Sequence, residues 1–273
     1  MLEVLKVIIL GIVQGITEWL PISSTGHMIL LDEFVKLNVS KEFLDLFLVV
    51  IQLGAILAVV VIYWNKLIPL STKHGLHISR RKCKMWVKII VASIPAGVVG
   101  ILWDDVFTKY FYNYQTVAIM LILVGVVFII IERSNKNKIA KIDSIDDISY
   151  GQAFLIGVFQ MIAAIFPGTS RSGSTIVGSL MLGISRTAAA EFTFFLAVPA
   201  MFGGSAIKIL KYSGGFNSAE VALLAIGMIV AFVLSIIAIK FLMSYIKKHD
   251  FKVFGWYRII LGIAVIGYFL AAR

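Results

Sequence analysis

Long apolar runs dominate the chain, and two short polar stretches interrupt them. Runs at 47–64, 116–131, 188–209 and 219–239 approach or exceed the roughly 20 residues with which a helix crosses a bilayer. The regular alternation of apolar and polar residues that a membrane β-barrel needs is missing. The pattern therefore predicts an all-α polytopic membrane protein, since helices and closed barrels are the structures that span lipid.

Two pairs of shorter helical stretches are each broken at a proline. Stretches 2–13 and 27–37 flank Pro21, and stretches 149–166 and 172–182 flank the second break at Pro167. Each stretch is near half a membrane span, which favours a re-entrant helix–loop–helix hairpin over two crossings. Three full crossings are predicted after each hairpin, at about 43–64, 85–103 and 115–132, and then at about 187–210, 219–245 and 253–271.

The two broken segments also resemble each other in sequence. One constant shift superimposes their glycine, glutamine, proline and hydroxyl residues, placing Gly11 on Gly157, Gln14 on Gln160, Pro21 on Pro167, Ser23 on Thr169 and Ser24 on Ser170. Three crossings per half is an odd number, so the second half must enter the membrane from the opposite face. The sequence thus predicts one membrane domain, residues 1–273, built as an inverted-topology repeat of halves 1–140 and 141–273.

Composition supports a membrane location and bears on orientation. Hydrophobic residues make up 60% of the chain and charged residues 15%, against about 25% charged in a typical soluble domain. The net charge of +10 comes from lysines and arginines clustered in loops, above all in 65–84. Such clustering is typical of cytoplasmic loops rather than of nucleic-acid binding, so the first hairpin is expected to open outward and the second inward. The single cysteine, Cys83, excludes an intrachain disulfide.

The first break carries an acidic residue within apolar sequence. Gln14 and Glu18 are four residues apart, which places them on one helix face. A carboxylate within the membrane costs about 2.5–3.5 kcal/mol, so Glu18 needs a partner, and a metal ion or Arg171 would serve. The alternative interpretation is that Glu18 pairs only to hold the fold together.

Each break also carries hydroxyl residues where a half-helix is predicted to begin. Such a helix start presents N–H donors and a positive dipole end to an anion, whereas simple helix capping would explain the hydroxyls as well. Capping does not explain Arg171, whose guanidinium is suited to grip a phosphate. The candidate anion-binding residues at the two breaks are Ser23, Ser24, Thr25, Gly168, Thr169, Ser170, Arg171 and Ser172.

His27 is a histidine within an apolar segment, three residues after Ser24. A lone histidine of this kind is more often structural, but here it lies one helical turn from a hydroxyl and could serve as general acid or base. His27 and Ser24, together with Glu18 and Arg171, are the kinds of residue that serve as nucleophile, base and oxyanion stabiliser. Arg258 lies near a predicted helix end and is expected at the membrane interface.

Several glycine pairs are candidates for close helix contacts. Gly97 with Gly100, and Gly203 with Gly204, lie within predicted crossings, where small residues let helix backbones approach. The sequence therefore predicts tight helix packing at these two positions.

At these motifs the chain resembles the bacterial undecaprenyl-pyrophosphate phosphatase family, also known for bacitracin resistance. The matching segments are 14–27, 50–54 and 167–175, and the likeness extends over essentially the whole chain. The resemblance implies hydrolysis of undecaprenyl pyrophosphate to undecaprenyl phosphate and inorganic phosphate, which recycles the lipid carrier for peptidoglycan and other wall polymers. It also implies a divalent cation, Mg²⁺ or Ca²⁺, and an active site on the outer side of the plasma membrane.

The resemblance assigns roles to residues by matching position. Gln14 and Glu18 become the acid pair and metal ligands, Ser24 the nucleophile, and His27 the catalytic histidine. The phosphate grip falls on Ser170 and Arg171. Some members carry Glu where this chain has Gln14, whose neutral amide could ligate a metal through its oxygen.

The expected mechanism is attack of Ser24 on the terminal phosphorus with His27 handling the proton, and attack by water or by His27 itself remains open. The expected partners are the polyprenyl pyrophosphate substrate and membrane lipid, without nucleic acid, and a homodimer is an option. The rival hypothesis is a transporter or flippase of a phosphorylated lipid, because inverted repeats with broken helices are typical of transporters. A second lipid-phosphatase family places a histidine downstream of its Ser-Arg pair, and this chain has none between Arg171 and His249.

Overall fold

The structure, a computed structural model, describes residues 2–71 and 77–271. Residues 72–76, part of the basic loop 65–84, lie outside the described residues. Within the described ranges the chain is helical apart from loops and a two-residue antiparallel pair, Leu70–Ser71 with His77–Ile78. The α-helices are α1 (Leu2–Thr17), α2 (Ser24–Phe34), α3 (Lys41–Ile62), α4 (Trp64–Leu67), α5 (Arg80–Phe111), α6 (Tyr114–Ser134), α7 (Tyr150–Ile165), α8 (Arg171–Met181), α9 (Arg186–Lys211), α10 (Ser218–Tyr245) and α11 (Lys252–Ala271), with a 3₁₀ turn at Ile145–Asp147.

Six helices of the described chain are long and apolar enough to cross a membrane: α3, α5, α6, α9, α10 and α11. This confirms the prediction of a polytopic α-helical membrane protein with six crossings. The largest difference in bounds concerns α5, which extends beyond the predicted 85–103 at both ends. Hydropathy marks only the apolar part of a helix, whereas hydrogen bonding continues into the charged ends.

The helices on either side of each break are short. Helices α1 and α7 have 16 residues each, and α2 and α8 have 11 each. At 1.5 Å per residue these lengths are about 24 and 16 Å, less than the roughly 30 Å of a hydrocarbon core. The broken helices are therefore present where the sequence predicts them, and their re-entrant placement in a bilayer stays a prediction.

The most extensive helix contacts are matched between the two halves. Helix α1 packs against α10 as α7 packs against α5, and α3 packs against α10 as α9 packs against α5. Helix α6 packs against α11, and α3 against α9, so these two pairs each join corresponding helices. The contacts thus persist when the halves are exchanged, which supports the repeat. Its inverted orientation and the boundary at residue 140 stay predictions.

Glycines permit close helix approach, but at other positions than predicted. A Cβ at Gly15 would lie 2.7 Å from the carbonyl oxygen of Ala231 in α10, and one at Gly54 or Gly157 would overlap the backbone of the neighbouring helix. The predicted pairs, Gly97 with Gly100 and Gly203 with Gly204, have open space where a Cβ would stand. That prediction was wrong, because apolar spacing does not reveal which face of a helix meets another helix.

Candidate active site

The two broken hairpins meet at the carboxylate of Glu18. Its Oε1 accepts a hydrogen bond of 2.8 Å from the Arg171 guanidinium, and the two side chains are 9% and 17% exposed. Arg171 is the first residue of α8, and it also donates to the carbonyl oxygen of Thr193 at 3.2 Å. The predicted pairing of Glu18 with Arg171 is therefore present, and it joins the two halves of the chain.

The second carboxylate oxygen of Glu18 accepts hydrogen bonds from two further side chains near the first break. Gln14 Nε2 donates to Oε2 at 2.9 Å, as expected for residues on one helix face. Ser24 Oγ donates to the same oxygen at 3.1 Å. Glu18 therefore accepts hydrogen bonds from an amide, a hydroxyl and a guanidinium, which offsets the cost of placing a charge among apolar helices.

The helices that follow the breaks begin with matching caps. Ser23 caps α2 with φ 73°, and its hydroxyl accepts from Gly26 N at 3.3 Å. Ser170 caps α8 with φ 68°, and its hydroxyl accepts from Gly173 N at 3.1 Å. Both serines adopt the left-handed region that glycine favours, which costs energy for a residue with a Cβ.

These caps correct the alignment of the repeat. They superimpose Ser23 on Ser170, so Ser24 corresponds to Arg171 rather than to Ser170. The second break is one residue longer after its proline, at Gly168, which adopts φ +90°. A Cβ at Gly168 would lie 2.5 Å from the carbonyl oxygen of Val117, so this turn has room for glycine alone.

Ser172 is buried and links the two breaks. Its hydroxyl donates to the carbonyl oxygens of Glu18, at 3.2 Å, and Leu20, at 3.4 Å. It also lies 3.1 Å from the hydroxyl of Ser170. A side chain bonded in this way positions the first break against α8, in addition to lining the cavity described below.

His27 is the candidate catalytic residue whose surroundings differ most from expectation. Its Nδ1 lies 2.7 Å from the carbonyl oxygen of Ser23, and its Nε2 lies 2.6 Å from the Tyr257 hydroxyl. The rings of His27 and Tyr257 are stacked at 5.6 Å. Both ring nitrogens are thus engaged by groups other than the Ser24 hydroxyl, which is bonded to Glu18 instead.

Arg258 of α11 was expected at the membrane interface, and that expectation is wrong. Its side chain is fully buried and donates to the backbone of both breaks. The bonds reach Pro21 O at 3.2 Å, Gly168 O at 2.9 Å and Thr169 O at 2.8 Å. Proximity to a helix end suggested snorkelling, whereas tertiary packing places the two breaks over this arginine.

A polar cavity of about 260 Å³ opens where these groups meet. Its lining includes most of the predicted catalytic and binding residues: Glu18, Ser24, Thr25, Gly168, Ser170, Arg171 and Ser172. Helices α3 and α9 complete it, contributing Gln52 and Ser205 among others. Gln14, Ser23, His27 and Thr169 do not line it, and Ser23 and Thr169 are buried beside it. The cavity combines a hydroxyl, a carboxylate and a cation, which suits a phosphorylated ligand.

The donor set also bears on the expected divalent cation. Among the described residues there is no group of three His, Cys, Asp or Glu side chains that could hold a metal by themselves. Mg²⁺ is commonly held by one or two carboxylates together with substrate phosphates. Glu18, which lines the cavity, fits a cation of that kind, which would take most of its ligands from a diphosphate. Gln14 lies outside the lining and presents its amide nitrogen to Glu18.

Fold and site together define a polytopic α-helical membrane protein with a phosphate-compatible site between two broken hairpins. The model of the family described as bacitracin resistance protein BacA matches residues 7–264. The chain belongs to this family.

Curated relatives match over nearly the full chain. A protein of Desulfitobacterium hafniense named undecaprenyl-diphosphatase is 63% identical over 271 residues, covering 99% of this chain and 98% of that protein. Undecaprenyl-diphosphatase 1 of Clostridium acetobutylicum is 62% identical, covering 98% of both chains. An undecaprenyl-diphosphatase of Acetivibrio thermocellus is 56% identical over all of both chains. The family predicted from the two motifs is therefore confirmed.

Proposed function

We propose that this protein is an undecaprenyl-diphosphatase of the bacterial plasma membrane, which releases inorganic phosphate from undecaprenyl diphosphate. The named activity of its relatives supports this proposal. The observation that carries it is one polar cavity in which the hydroxyl of Ser24, the carboxylate of Glu18 and the guanidinium of Arg171 converge. The product, undecaprenyl phosphate, would return to wall-polymer synthesis, and this recycling accounts for resistance to bacitracin.

Substrate binding would use the second hairpin. Arg171 and the N–H groups that begin α8 present positive charge to the cavity, which suits a diphosphate. The prenyl tail would leave the cavity between the apolar helices towards lipid. Arg171 is shared between Glu18 and the incoming phosphate, so binding would redistribute the hydrogen bonds of the ion pair.

Ser24 is the proposed nucleophile, and Glu18 is the group that lies in position to accept its proton. Ser24 Oγ would attack the terminal phosphorus while the bond to the bridging oxygen breaks, and undecaprenyl phosphate would leave. Water would then attack the phosphorus of the phosphoserine, and the bond between Ser24 Oγ and phosphorus would break. Glu18 would return its proton to Ser24 Oγ, and inorganic phosphate would leave with the protons of the attacking water. Arg171 would stabilise the negative charge on the transferred group, as is usual for phosphoryl transfer.

The roles of His27 and of a cation are parts of the same proposal. His27 bonds to the carbonyl oxygen of Ser23, so it supports the turn that presents Ser24, and its role as general base stays a prediction. Glu18 would hold a divalent cation that arrives with the diphosphate, and Gln14 would join it once its amide oxygen turned towards the ion. Such a cation would neutralise phosphate charge when bound.

The cavity is proposed to face the outer side of the membrane. The α9 residues that line the cavity, which include Ser205, lie in the C-terminal half of that helix. The C-terminal end of α9, at Lys211, is the end opposite the basic loops. Impermeant thiol labelling of intact cells tests this orientation. Native Cys83 should stay unlabelled, whereas Phe216→Cys in a Cys83→Ser background should label. The reverse pattern would overturn the orientation.

Phosphate release from undecaprenyl diphosphate by purified protein in detergent micelles tests the activity. Micelles have no second compartment, so release there distinguishes a phosphatase from a transporter. Arg171→Ala and Glu18→Ala should each lose at least about 100-fold in kcat, which corresponds to about 2.7 kcal/mol of transition-state stabilisation. Arg133→Ala, an exposed arginine at the end of α6, is the matched control. Near wild-type turnover in both site variants would end this mechanism.

A further inference from the structure

A second cavity lies at the far end of α8 from the candidate active site. Its volume is about 760 Å³, and its walls come from the ends of α6 and α8, the start of α9, and loop residues 135, 137–141, 183–185 and 246–247. Arg171 begins α8, and Leu180, which lines this cavity, lies about 14 Å further along the helix axis. The cavity lies at the ends of α6 and α10 and at the start of α9, three helices that are long and apolar enough to cross a membrane. The ends of such helices lie at the level of lipid headgroups, because each helix is at least as long as the hydrocarbon core is thick.

The charge of this cavity is strongly positive. Four cationic residues line it: Lys138, Lys141, Arg186 and Lys247. Glu132 is the acidic residue among its lining. The Arg186 guanidinium donates to both carboxylate oxygens of Glu132, at 2.9 Å for Oε1 and 2.5 Å for Oε2. Glu132 Oε1 also accepts from Phe251 N at 3.0 Å. The three lysines therefore surround the space without a carboxylate from its own lining to neutralise them, and a bound anion would relieve their repulsion.

Helix α9 adds neutral donors to the same space. Arg186 and Thr187 are its first two residues, and both line the cavity. N–H groups at these positions have no partner within the helix. The cap residue, Ser185, uses its hydroxyl for Ala188 N. The first N–H groups of α9 thus add to the lysine ammonium groups as donors to an anion.

Much of the remaining wall is apolar, beside the amides of Asn135 and Asn137, and an apolar wall favours a lipid over a free ion. Ile139 is 93% exposed between Lys138 and Lys141, an unfavourable position in water and a favourable one beside acyl chains. Ile184 and Ile246 line the cavity beneath the charged rim. A phosphate group bearing glycerol and the first acyl carbons matches both the donors and this apolar wall.

We propose that this cavity is a binding site for the phosphate headgroup of an anionic phospholipid, such as phosphatidylglycerol or cardiolipin. Basic pockets between transmembrane helices are suited to such headgroups. The proposal concerns a site separate from the active site, and it does not depend on the proposed hydrolysis.

Native mass spectrometry of the full-length purified protein measures this binding directly. Cardiolipin, phosphatidylglycerol and phosphatidylcholine are titrated separately, and the anionic lipids should bind at least about tenfold more tightly. The test variant replaces the three cavity lysines together: Lys138→Gln, Lys141→Gln and Lys247→Gln. Each ammonium lost should weaken anionic lipid binding about fivefold, so the triple variant should lose roughly 100-fold. Binding to phosphatidylcholine should not change.

A matched triple variant changes three exposed lysines at the opposite membrane face, Lys41→Gln, Lys208→Gln and Lys211→Gln, and should keep wild-type lipid affinity. Equal losses in both triple variants would overturn the site, because they would reflect net charge alone. Inorganic phosphate is titrated as a competitor, and displacement of lipid at equal concentration would overturn the assignment to a lipid. Melting temperatures of all variants identify any misfolded protein, and single substitutions of the three lysines then replace a triple variant that fails to fold.

Discussion

Arg258→Lys is the most informative substitution for the structure of the candidate site. The buried guanidinium donates to the carbonyl oxygens of Pro21, Gly168 and Thr169, which belong to both breaks. It is a positioning residue, since it does not line the cavity. A lysine keeps the charge, but its single nitrogen cannot reproduce the spread of donors across a planar guanidinium.

The size of the effect follows from the bonds that are lost. A hydrogen bond from a charged group contributes about 1.5–3 kcal/mol, and a buried carbonyl that loses its donor adds a further penalty. If lysine keeps one of the three bonds to the breaks, the two that are lost amount to about 3–6 kcal/mol. Part of this should appear as lower stability, and the rest as misplacement of Ser24 and Arg171 in the folded protein.

Thermal unfolding and steady-state phosphate release of the same purified samples separate these effects. We expect a lower melting temperature, together with a kcat at least about tenfold lower and a KM changed by less than about threefold at temperatures where the variant is folded. Arg133→Lys, at an exposed position, is the matched control. An Arg258→Lys protein with wild-type melting temperature and wild-type kcat would refute the reasoning.

Three further predictions concern the turn, the acid pair and the cation. Gly168→Ala should destabilise the protein by about 1–3 kcal/mol in unfolding measurements, since its φ is positive and its Cβ would meet Val117, while Gly267→Ala, in open space, should be near neutral. Gln14→Glu should tighten the apparent affinity for Mg²⁺ in phosphate-release titrations by adding a carboxylate beside Glu18, and an unchanged affinity would argue against a metal ligand there. Chelator should suppress phosphate release by the wild-type protein, and added Mg²⁺ should restore it. Full activity in the presence of chelator would show that hydrolysis does not require a divalent cation.

Much of the candidate site could be predicted from the sequence because buried charge restricts what is possible. A carboxylate and a guanidinium within apolar segments each need a partner, so Arg171 was one of two expected partners of Glu18, the other being a metal ion. The breaks at Pro21 and Pro167 were also predictable, because proline and glycine interrupt helices locally. The family followed from the residues around these same breaks.

The partners of other site residues depended on contacts between distant segments. His27 bonds to Tyr257, and Ser24 bonds to Glu18, although sequence spacing suggested that His27 and Ser24 would act together. Arg258 looked interfacial because it lies near a predicted helix end, yet it supports both breaks from the interior. Spacing along one helix predicts shared faces, but it does not predict which face a helix from the other half will contact.

The apolar runs, the broken helices and the need to pair Glu18 were determined by the sequence alone, since each depends on the local cost of placing polar groups in lipid. Only the tertiary structure decided that Ser23 matches Ser170 and that Arg258 lies beneath both turns. It also decided that the cations near Arg186 surround one cavity. Those features depend on helix register and close backbone approach, which arise when the two halves pack together.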